Sequence, residues 1–126
     1  MHGELNKARC IMNDNHLFEW FEDLNETHKC PDCGSKMRPA IVWFGEMPMQ
    51  LDEIQEALLQ CDVFIAIGTS GHVYPANGFL HTARRLGAHT IGINLDPPED
   101  VAFFDEFFQG KAGEILPLLI ERWTKA

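Results

Sequence analysis

The cysteines are the first residues whose spacing indicates chemistry. Cys30 and Cys33 form a Cys-x-x-Cys pair followed by Gly34, and Cys10 lies upstream at a separation usual for a zinc ribbon. Thiolates at this spacing reach one tetrahedral metal ion at about 2.3 Å, so the pattern predicts a zinc site. A metal-free ribbon and a redox pair are the alternatives, although the strand-to-helix setting of a redox pair is missing.

The fourth ligand of this predicted site is open. The symmetry of a ribbon would place a cysteine at position 13, where the chain has Asn13. Four nearby side chains have suitable donor atoms: Asp14, His16, His28 and Asp32. The remaining cysteine, Cys61, falls on the apolar face of a predicted helix and is interpreted as a core residue.

Small and polar residues follow two apolar runs. Residues 68–71 read Gly-Thr-Ser-Gly, and such residues let a ligand approach backbone N–H groups that can hold phosphate or ribose oxygens. Asn94 and Asp96 could accept hydrogen bonds from ribose hydroxyls. Turn chemistry is the alternative reading of both segments. His2 could serve as a general base near neutral pH, although residues so near a terminus are more often frayed.

Alternating strands and helices position these segments. Apolar runs predict buried strands at 40–44, 63–67 and 90–95, and helical periodicity predicts helices near 51–61, 79–86 and 115–123. This alternation is typical of a parallel sheet covered by helices, whose ligands bind at the carboxyl ends of the strands. The aromatic run at 103–108 is interpreted as core. Residues 1–40, which carry three of the cysteines, differ in composition from 41–126, so we predict a boundary there.

Composition and charge narrow the function classes. The chain has 126 residues, 45% hydrophobic and 23% charged, as in one ordinary globular domain. The net charge of −9 and the lack of a basic face argue against nucleic acid as a partner. No apolar run approaches the length of a membrane span, and the first residues do not form a signal peptide. A cytoplasmic protein is expected.

Several motifs occur in one order and together resemble the sirtuins, the NAD-dependent protein-lysine deacylases, and among them the bacterial CobB-like group. They are His2-Gly3-Glu4-Leu5, Arg9-Cys10, Cys30-Pro31-Asp32-Cys33, Met37-Arg38-Pro39, residues 41–46 (Ile-Val-Trp-Phe-Gly-Glu), Gly68-Thr69-Ser70 with Val73 and Pro75, and Ile93-Asn94-Leu95. The resemblance runs from His2 to the C-terminus. It implies an α/β fold with a partial Rossmann-like parallel sheet (41–126) and a small zinc-ribbon-like module that also carries the catalytic histidine (1–40).

The resemblance also implies residue roles. His2 would be the general base that acts on the ribose hydroxyls of NAD, the co-substrate. The cofactor-binding residues would be Gly68, Thr69, Ser70, Asn94, Leu95, Asp96 and Ala112. An acyl-lysine peptide would add as a strand between two segments, Val42, Phe44, Gly45 and Glu46 on one side and Gly71, His72 and Val73 on the other. Cys10, Cys30 and Cys33 would be the zinc ligands.

One part of the family pattern is missing from these residues. The family's first half carries a Gly-Ala-Gly phosphate loop and a Gln-Asn-x-Asp nicotinamide segment, and neither occurs here. The chain is therefore expected to correspond to the C-terminal half of a catalytic domain. Its expected partners are acyl-lysine proteins or peptides and either a complementing N-terminal half or a second copy. The alternatives are a non-catalytic module that binds adenosine nucleotide or peptide, and a zinc-ribbon scaffold that acts as an interaction domain.

Overall fold

The computed structural model describes residues 1–70, 75–99 and 101–125. The chain forms two compact units, Met1–Leu51 and Asp52–Ala126, here called the N-terminal and C-terminal units. Within the described residues, no helix has the length and apolar character needed to cross a membrane.

The N-terminal unit is a three-stranded antiparallel sheet. Its strands are β1 (Gly3–Cys10), β2 (Leu17–Glu19) and β3 (Met37–Ile41). Their order is β2-β1-β3, with β1 in the centre. The register places Cys10 opposite Met37 and Arg9 opposite Leu17. Its buried core consists of Ala8, Cys10, Cys30 and Met37, with Phe18, Trp20 and Leu24 packed against them.

The strand predicted at 40–44 is wrong in position and in partner. The strand observed there is β3, which ends at Ile41 and pairs antiparallel with β1. Pro39 does not interrupt it, because β3 is an edge strand and a missing N–H is tolerated on its open side. After Ile41 the N–H of Val42 still donates to the carbonyl of His2 (2.9 Å), and the chain then turns away from the sheet.

The C-terminal unit is a parallel sheet with covering helices, as predicted. Its strands are β4 (Val63–Ile67), β5 (His89–Asn94) and β6 (Glu106–Gln109), in the order β4-β5-β6. Its helices are α1 (Leu51–Leu59), α2 (Ala76–Arg85), a short 3-10 helix (Val101–Phe103) and α3 (Ala112–Thr124). Strand β6 overlaps the aromatic run at 103–108, which the sequence predicted only as core. Phe108 does pack against the core of this unit.

The helices cover both faces of this sheet. Phe64 of β4 packs with Leu58 and Ala83, which lie on α1 and α2. The next residue, Ile65, packs instead with Leu119 of α3. Successive side chains of a strand point to opposite faces, so α1 and α2 lie on one face and α3 lies on the other. Because β4 and β5 are parallel, the loops that follow them lie at the same edge of the sheet.

Candidate functional site

A cluster of three thiols and one imidazole lies in the N-terminal unit. Cys10 is the last residue of β1, and its N–H donates to the carbonyl of His16 (3.0 Å), which brings the His16 loop back to the strand. Cys30 and Cys33 lie on a tight knuckle closed by two backbone hydrogen bonds of 2.8 Å, from Gly34 to Cys30 and from Cys30 to Ser35. The knuckle lies against the end of β1, because the Sγ atoms of Cys33 and Cys10 are within contact distance.

The geometry of this cluster fits a zinc ion. The four donor atoms all lie within 4.8 Å of one another. The Sγ atoms of Cys10 and Cys33 are 3.5 Å apart, and Cys30 Sγ is 3.4 Å from His16 Nδ1. Ligands at zinc bond lengths of about 2.0–2.3 Å in a tetrahedron are separated by nearly these distances. Cys10, Cys30 and Cys33 therefore lie together, and His16 supplies the fourth donor atom of the cluster.

The other three candidates for the fourth position have different partners. The Asp14 carboxylate accepts a hydrogen bond from Arg9 (2.6 Å). His28 Nδ1 accepts one from the N–H of Asn25 (3.0 Å). Asp32 lies 3.9 Å from His16 Nδ1, as a neighbour of the cluster. Sequence spacing alone could not separate these four residues.

The thiols of the cluster differ in acidity. The pKa of Cys33 is lowered to about 6, chiefly by hydrogen bonds from the side chain and backbone of Ser35 and then by Cys10 and His16. The pKa of Cys30 is raised, chiefly because the thiol is desolvated. A thiolate is the form that binds zinc, so the hydrogen bonds to Cys33 favour its metal-binding form over that of Cys30.

In the C-terminal unit, two predicted segments lie together at the carboxyl ends of β4 and β5. Gly68, Thr69, Ser70, Asn94 and Asp96 all line one cavity of about 350 Å³. The N–H of Gly68 donates to Ile93 (3.0 Å), and Asn94 Nδ2 donates to the carbonyl of Thr69 (2.8 Å). These bonds fix the two loops to each other.

The structure separates two further predicted cofactor residues from that cavity. The backbone of Leu95 is held by the Asn94 side chain (3.0 Å) and by Gln109 Nε2 (3.0 Å), while its side chain is exposed. Ala112 lines a different cavity, beside Ile67 and along α3. Gln109 was not singled out in the sequence, because an amide at the end of an unpredicted strand gives no signal.

His2 lies directly before β1 and is exposed. The backbone here is anchored rather than frayed. The carbonyl of Met1 accepts a hydrogen bond from the N–H of Met49 (2.9 Å), and the carbonyl of His2 accepts one from the N–H of Val42 (2.9 Å). Gly3 has φ +88°, and a Cβ there would lie 2.1 Å from the carbonyl oxygen of Ala40. A glycine is therefore required next to His2 for β1 and β3 to approach.

The predicted substrate residues of the N-terminal unit follow β3. Val42 and Glu46 line a cavity of about 780 Å³. Phe44 is fully exposed, and Gly45 has φ +87° in the turn that returns the chain. The pKa of Glu46 is lowered to about 2, chiefly by hydrogen bonds from Arg38 and then from the backbone of Trp43. The other predicted substrate residues, Gly71, His72 and Val73, lie outside the described residues.

Comparison with known proteins identifies the class. The model of the Sir2 family matches residues 1–75. The chain belongs to the Sir2 family. It is 50% identical over 119 residues to an NAD-dependent protein deacylase of Pasteurella multocida, covering 93% of this chain and 50% of that protein. It is 48% identical over 128 residues to an NAD-dependent protein deacylase of Leishmania major, covering 99% of this chain and 52% of that protein.

Solved structures give the same result. A complex of a Sir2 homologue with NAD superposes with a TM-score of 0.88 at 36% identity, covering 98% of this chain and 50% of that one. A Sir2 protein bound to a myristoylated histone peptide superposes with a TM-score of 0.77 at 36% identity, covering 96% and 54%. The chain thus spans about half the length of the relatives that it matches.

Proposed function

We propose that this chain carries the NAD-binding and acyl-lysine-binding residues of an NAD-dependent protein-lysine deacylase. The observation that carries the proposal is the cavity at the carboxyl ends of β4 and β5, in a chain of the Sir2 family. In open parallel sheets, nucleotides bind at this edge. A relative of the same fold has been solved as a complex with NAD.

The cofactor residues are proposed as two groups. Gly68, Thr69 and Ser70 hold ribose or phosphate oxygens of NAD, and Asn94, Leu95 and Asp96 surround the adenosine. The cavity of about 350 Å³ and the Asn94–Thr69 hydrogen bond support this arrangement for all of these residues except Leu95, which is proposed from family resemblance alone. Ala112, which lines another cavity, is proposed on the adenine side from family resemblance alone.

The substrate is proposed to be an acyl-lysine side chain of a protein or peptide. The acyl oxygen attacks C1′ of the ribose of NAD as the bond to nicotinamide breaks. His2 accepts a proton from a ribose hydroxyl, which then attacks the acyl carbon. Water supplies the remaining oxygen and protons, and the products are nicotinamide, O-acyl-ADP-ribose and free lysine. The exposure of His2 and its anchored backbone support this role.

The proposed peptide-binding residues of the N-terminal unit are Val42, Phe44, Gly45 and Glu46. Gly71, His72 and Val73 are proposed for the same task in the C-terminal unit. A Sir2 relative bound to a myristoylated histone peptide supports a peptide substrate. An extended peptide would add by backbone hydrogen bonds, as a strand does.

The compartment and the further partner are also proposals. We place the protein in the cytoplasm, because all four cysteines are free thiols and three of them converge on a metal-binding cluster. Since the chain spans about half of its relatives, the proposed partner is a complementing N-terminal half or a second copy of this chain.

Formation of O-acetyl-ADP-ribose tests the proposed activity. The purified chain is incubated with NAD and an acetyl-lysine peptide, and products are followed by mass spectrometry. Product from the wild-type chain that is absent in His2→Ala is the expected result. His28→Ala is the control, because His28 packs against Trp20 in the N-terminal unit and has no proposed catalytic role. Product that persists in His2→Ala would contradict the role of His2.

A binding module without turnover is the second candidate, because the cofactor cavity forms within a chain that spans half of its relatives. Calorimetric titration with ADP-ribose separates the two. Binding of ADP-ribose without product formation, by folded protein, would favour the module. Loss of that binding in Asn94→Ala would assign it to the proposed cavity.

A further inference from the structure

The chain reverses direction directly after β3 in a tight turn. The N–H of Glu46 donates to the carbonyl of Trp43 (3.0 Å), and Gly45 has the positive φ that a type II turn requires at its third position. Phe44, at the tip, is fully exposed. The part of the chain that the structure describes offers no hydrogen-bond partner to the backbone of Phe44. The turn therefore presents an aromatic side chain and open backbone groups to solvent.

The carboxylate of Glu46 is directed back toward the protein. Its Oε2 accepts hydrogen bonds from Arg38 Nη2 (2.9 Å) and from the backbone N–H of Trp43 (2.9 Å). Its Oε1 accepts from Arg38 Nη1. Arg9 Nη2 lies 3.9 Å from the same carboxylate. With both oxygens engaged, the Glu46 carboxylate is suited to fix the turn.

The guanidinium of Arg38 connects three points of the segment. Besides Glu46, it donates from Nη2 to the carbonyl of Ile41 (3.1 Å), and it lies 3.6 Å from the centroid of the Trp43 ring. Its side chain is only 14% exposed. A lysine could reproduce the charge of Arg38. It could not form the bidentate hydrogen bonds to the Glu46 carboxylate and also stack on the Trp43 ring.

We propose that Arg38 and Glu46 are positioning residues that hold segment 42–45 in the conformation that receives an acyl-lysine peptide. The inference rests on the proposed function. An extended peptide that binds along backbone groups loses less conformational entropy on binding when the receiving segment is already fixed. Arg38 and Glu46 set the shape of the segment, while Phe44 and the open backbone contact the peptide.

Peptide affinity in matched variants tests this inference. A fluorescent acetyl-lysine peptide and its unmodified counterpart are titrated into the wild-type chain, Arg38→Lys and Glu46→Gln, with anisotropy as the readout. We expect acetyl-peptide affinity to fall at least about tenfold in both variants. Arg85→Lys on α2 and Glu22→Gln in an exposed loop are the controls, and they should bind like the wild type.

A second readout separates positioning from general stability. Amide hydrogen exchange should accelerate within 42–46 in both variants and stay unchanged in β1. In Arg38→Ala, added ethylguanidinium should restore peptide affinity, while ethylammonium should not, because only the former has the planar donor geometry. Rescue of this kind is not expected where a variant has simply lost its fold.

The possible results lead to different conclusions. Wild-type affinity in Arg38→Lys and Glu46→Gln would overturn the positioning role and leave the proposed function intact. Faster exchange throughout β1, without rescue by ethylguanidinium, would also overturn it, by assigning both residues a structural role. A wild-type chain that does not distinguish the acetylated from the unmodified peptide would overturn the proposed peptide binding, and the positioning role with it.

Discussion

At the scale of single residues, His16 is the side chain that completes the candidate zinc site. We expect His16→Ala to weaken zinc affinity by at least about tenfold. Even the loss of a residue that only hydrogen-bonds to a metal ligand typically lowers metal affinity by about tenfold or more. Zinc per chain is measured by elemental analysis, and affinity by competition with a chromophoric chelator. His28→Ala is the matched control, since His28 is not among the four clustered residues. A larger loss in His28→Ala than in His16→Ala would contradict the assignment.

A second residue, Asp105, links folding stability to pH in the C-terminal unit. Its pKa is lowered from the ordinary 3.8, first by the backbone N–H and then by the hydroxyl of Thr90, with Arg84 and His89 contributing charge. The unfolded chain therefore takes up this proton before the folded chain does. The stabilisation is complete above about pH 5 and is lost as pH falls through the lowered pKa.

The variant Asp105→Asn should be less stable than the wild type at pH 7. The difference in the free energy of unfolding between the two should shrink as the pH falls toward 3. Urea midpoints between pH 7 and pH 3 provide the measurement. Glu56→Gln, exposed on α1, serves as the control and should follow the wild-type curve. A difference that is constant with pH would show that the Asp105 carboxylate does not account for the acid sensitivity.

The sequence indicates residue types at this scale but not their partners. Cys10, Cys30 and Cys33 were predicted to lie together, and they do. His16 could not be preferred over the other three candidates, because the path of a loop decides which side chain reaches the thiols. Arg38 was noticed only as part of a motif. Its bond to Glu46 depends on a turn that bends the chain back after β3.

At the scale of elements, Gly3 decides how closely β1 and β3 approach. Gly3 and Gly87 have similar φ angles, +88° and +95°, but only at Gly3 would a Cβ meet the backbone of the neighbouring strand. Gly87→Ala should cost about 1–2 kcal/mol from conformation alone. Gly3→Ala should cost about 3 kcal/mol or more, because the clash with Ala40 is added to the same strain.

Chemical denaturation of both variants, followed separately for each unit by hydrogen exchange, checks this prediction. Gly3→Ala should accelerate exchange in β1 and β3. Equal costs for the two variants would show that β1 shifts to accommodate the Cβ at Gly3.

Elements with a clear hydrophobic period were predicted well, and those without one were missed. The helix observed as α1 and the strands observed as β4 and β5 follow such periods. Strand β1 was not predicted, because its first five residues are exposed or polar and show no apolar alternation. The strand is held by pairing with β2 on one side and β3 on the other, which the sequence does not reveal. The aromatic run at 103–108 gave no clear alternation, so β6 could not be separated from buried core.

At the scale of the whole molecule, the two units have separate cores of different kinds. Among the described residues, the hydrophobic cluster of the N-terminal unit has four buried members, and two of them, Cys10 and Cys30, belong to the metal-binding cluster. The C-terminal unit has two clusters built from aliphatic residues of the sheet and helices. Metal binding and folding are strongly linked in small units whose ligands form the core.

Removal of zinc should therefore affect the two units unequally. In a strong chelator, amide exchange in β1 and β3 should approach that of an unfolded chain, while β5, with Ile91 and Ile93 buried, stays protected. Adding zinc back should restore protection in the N-terminal unit, whereas magnesium should not, because thiolate ligands favour zinc. Undiminished protection in β1 after metal removal would indicate a ribbon that holds its shape by packing alone, the alternative that the Cys-x-x-Cys spacing left open.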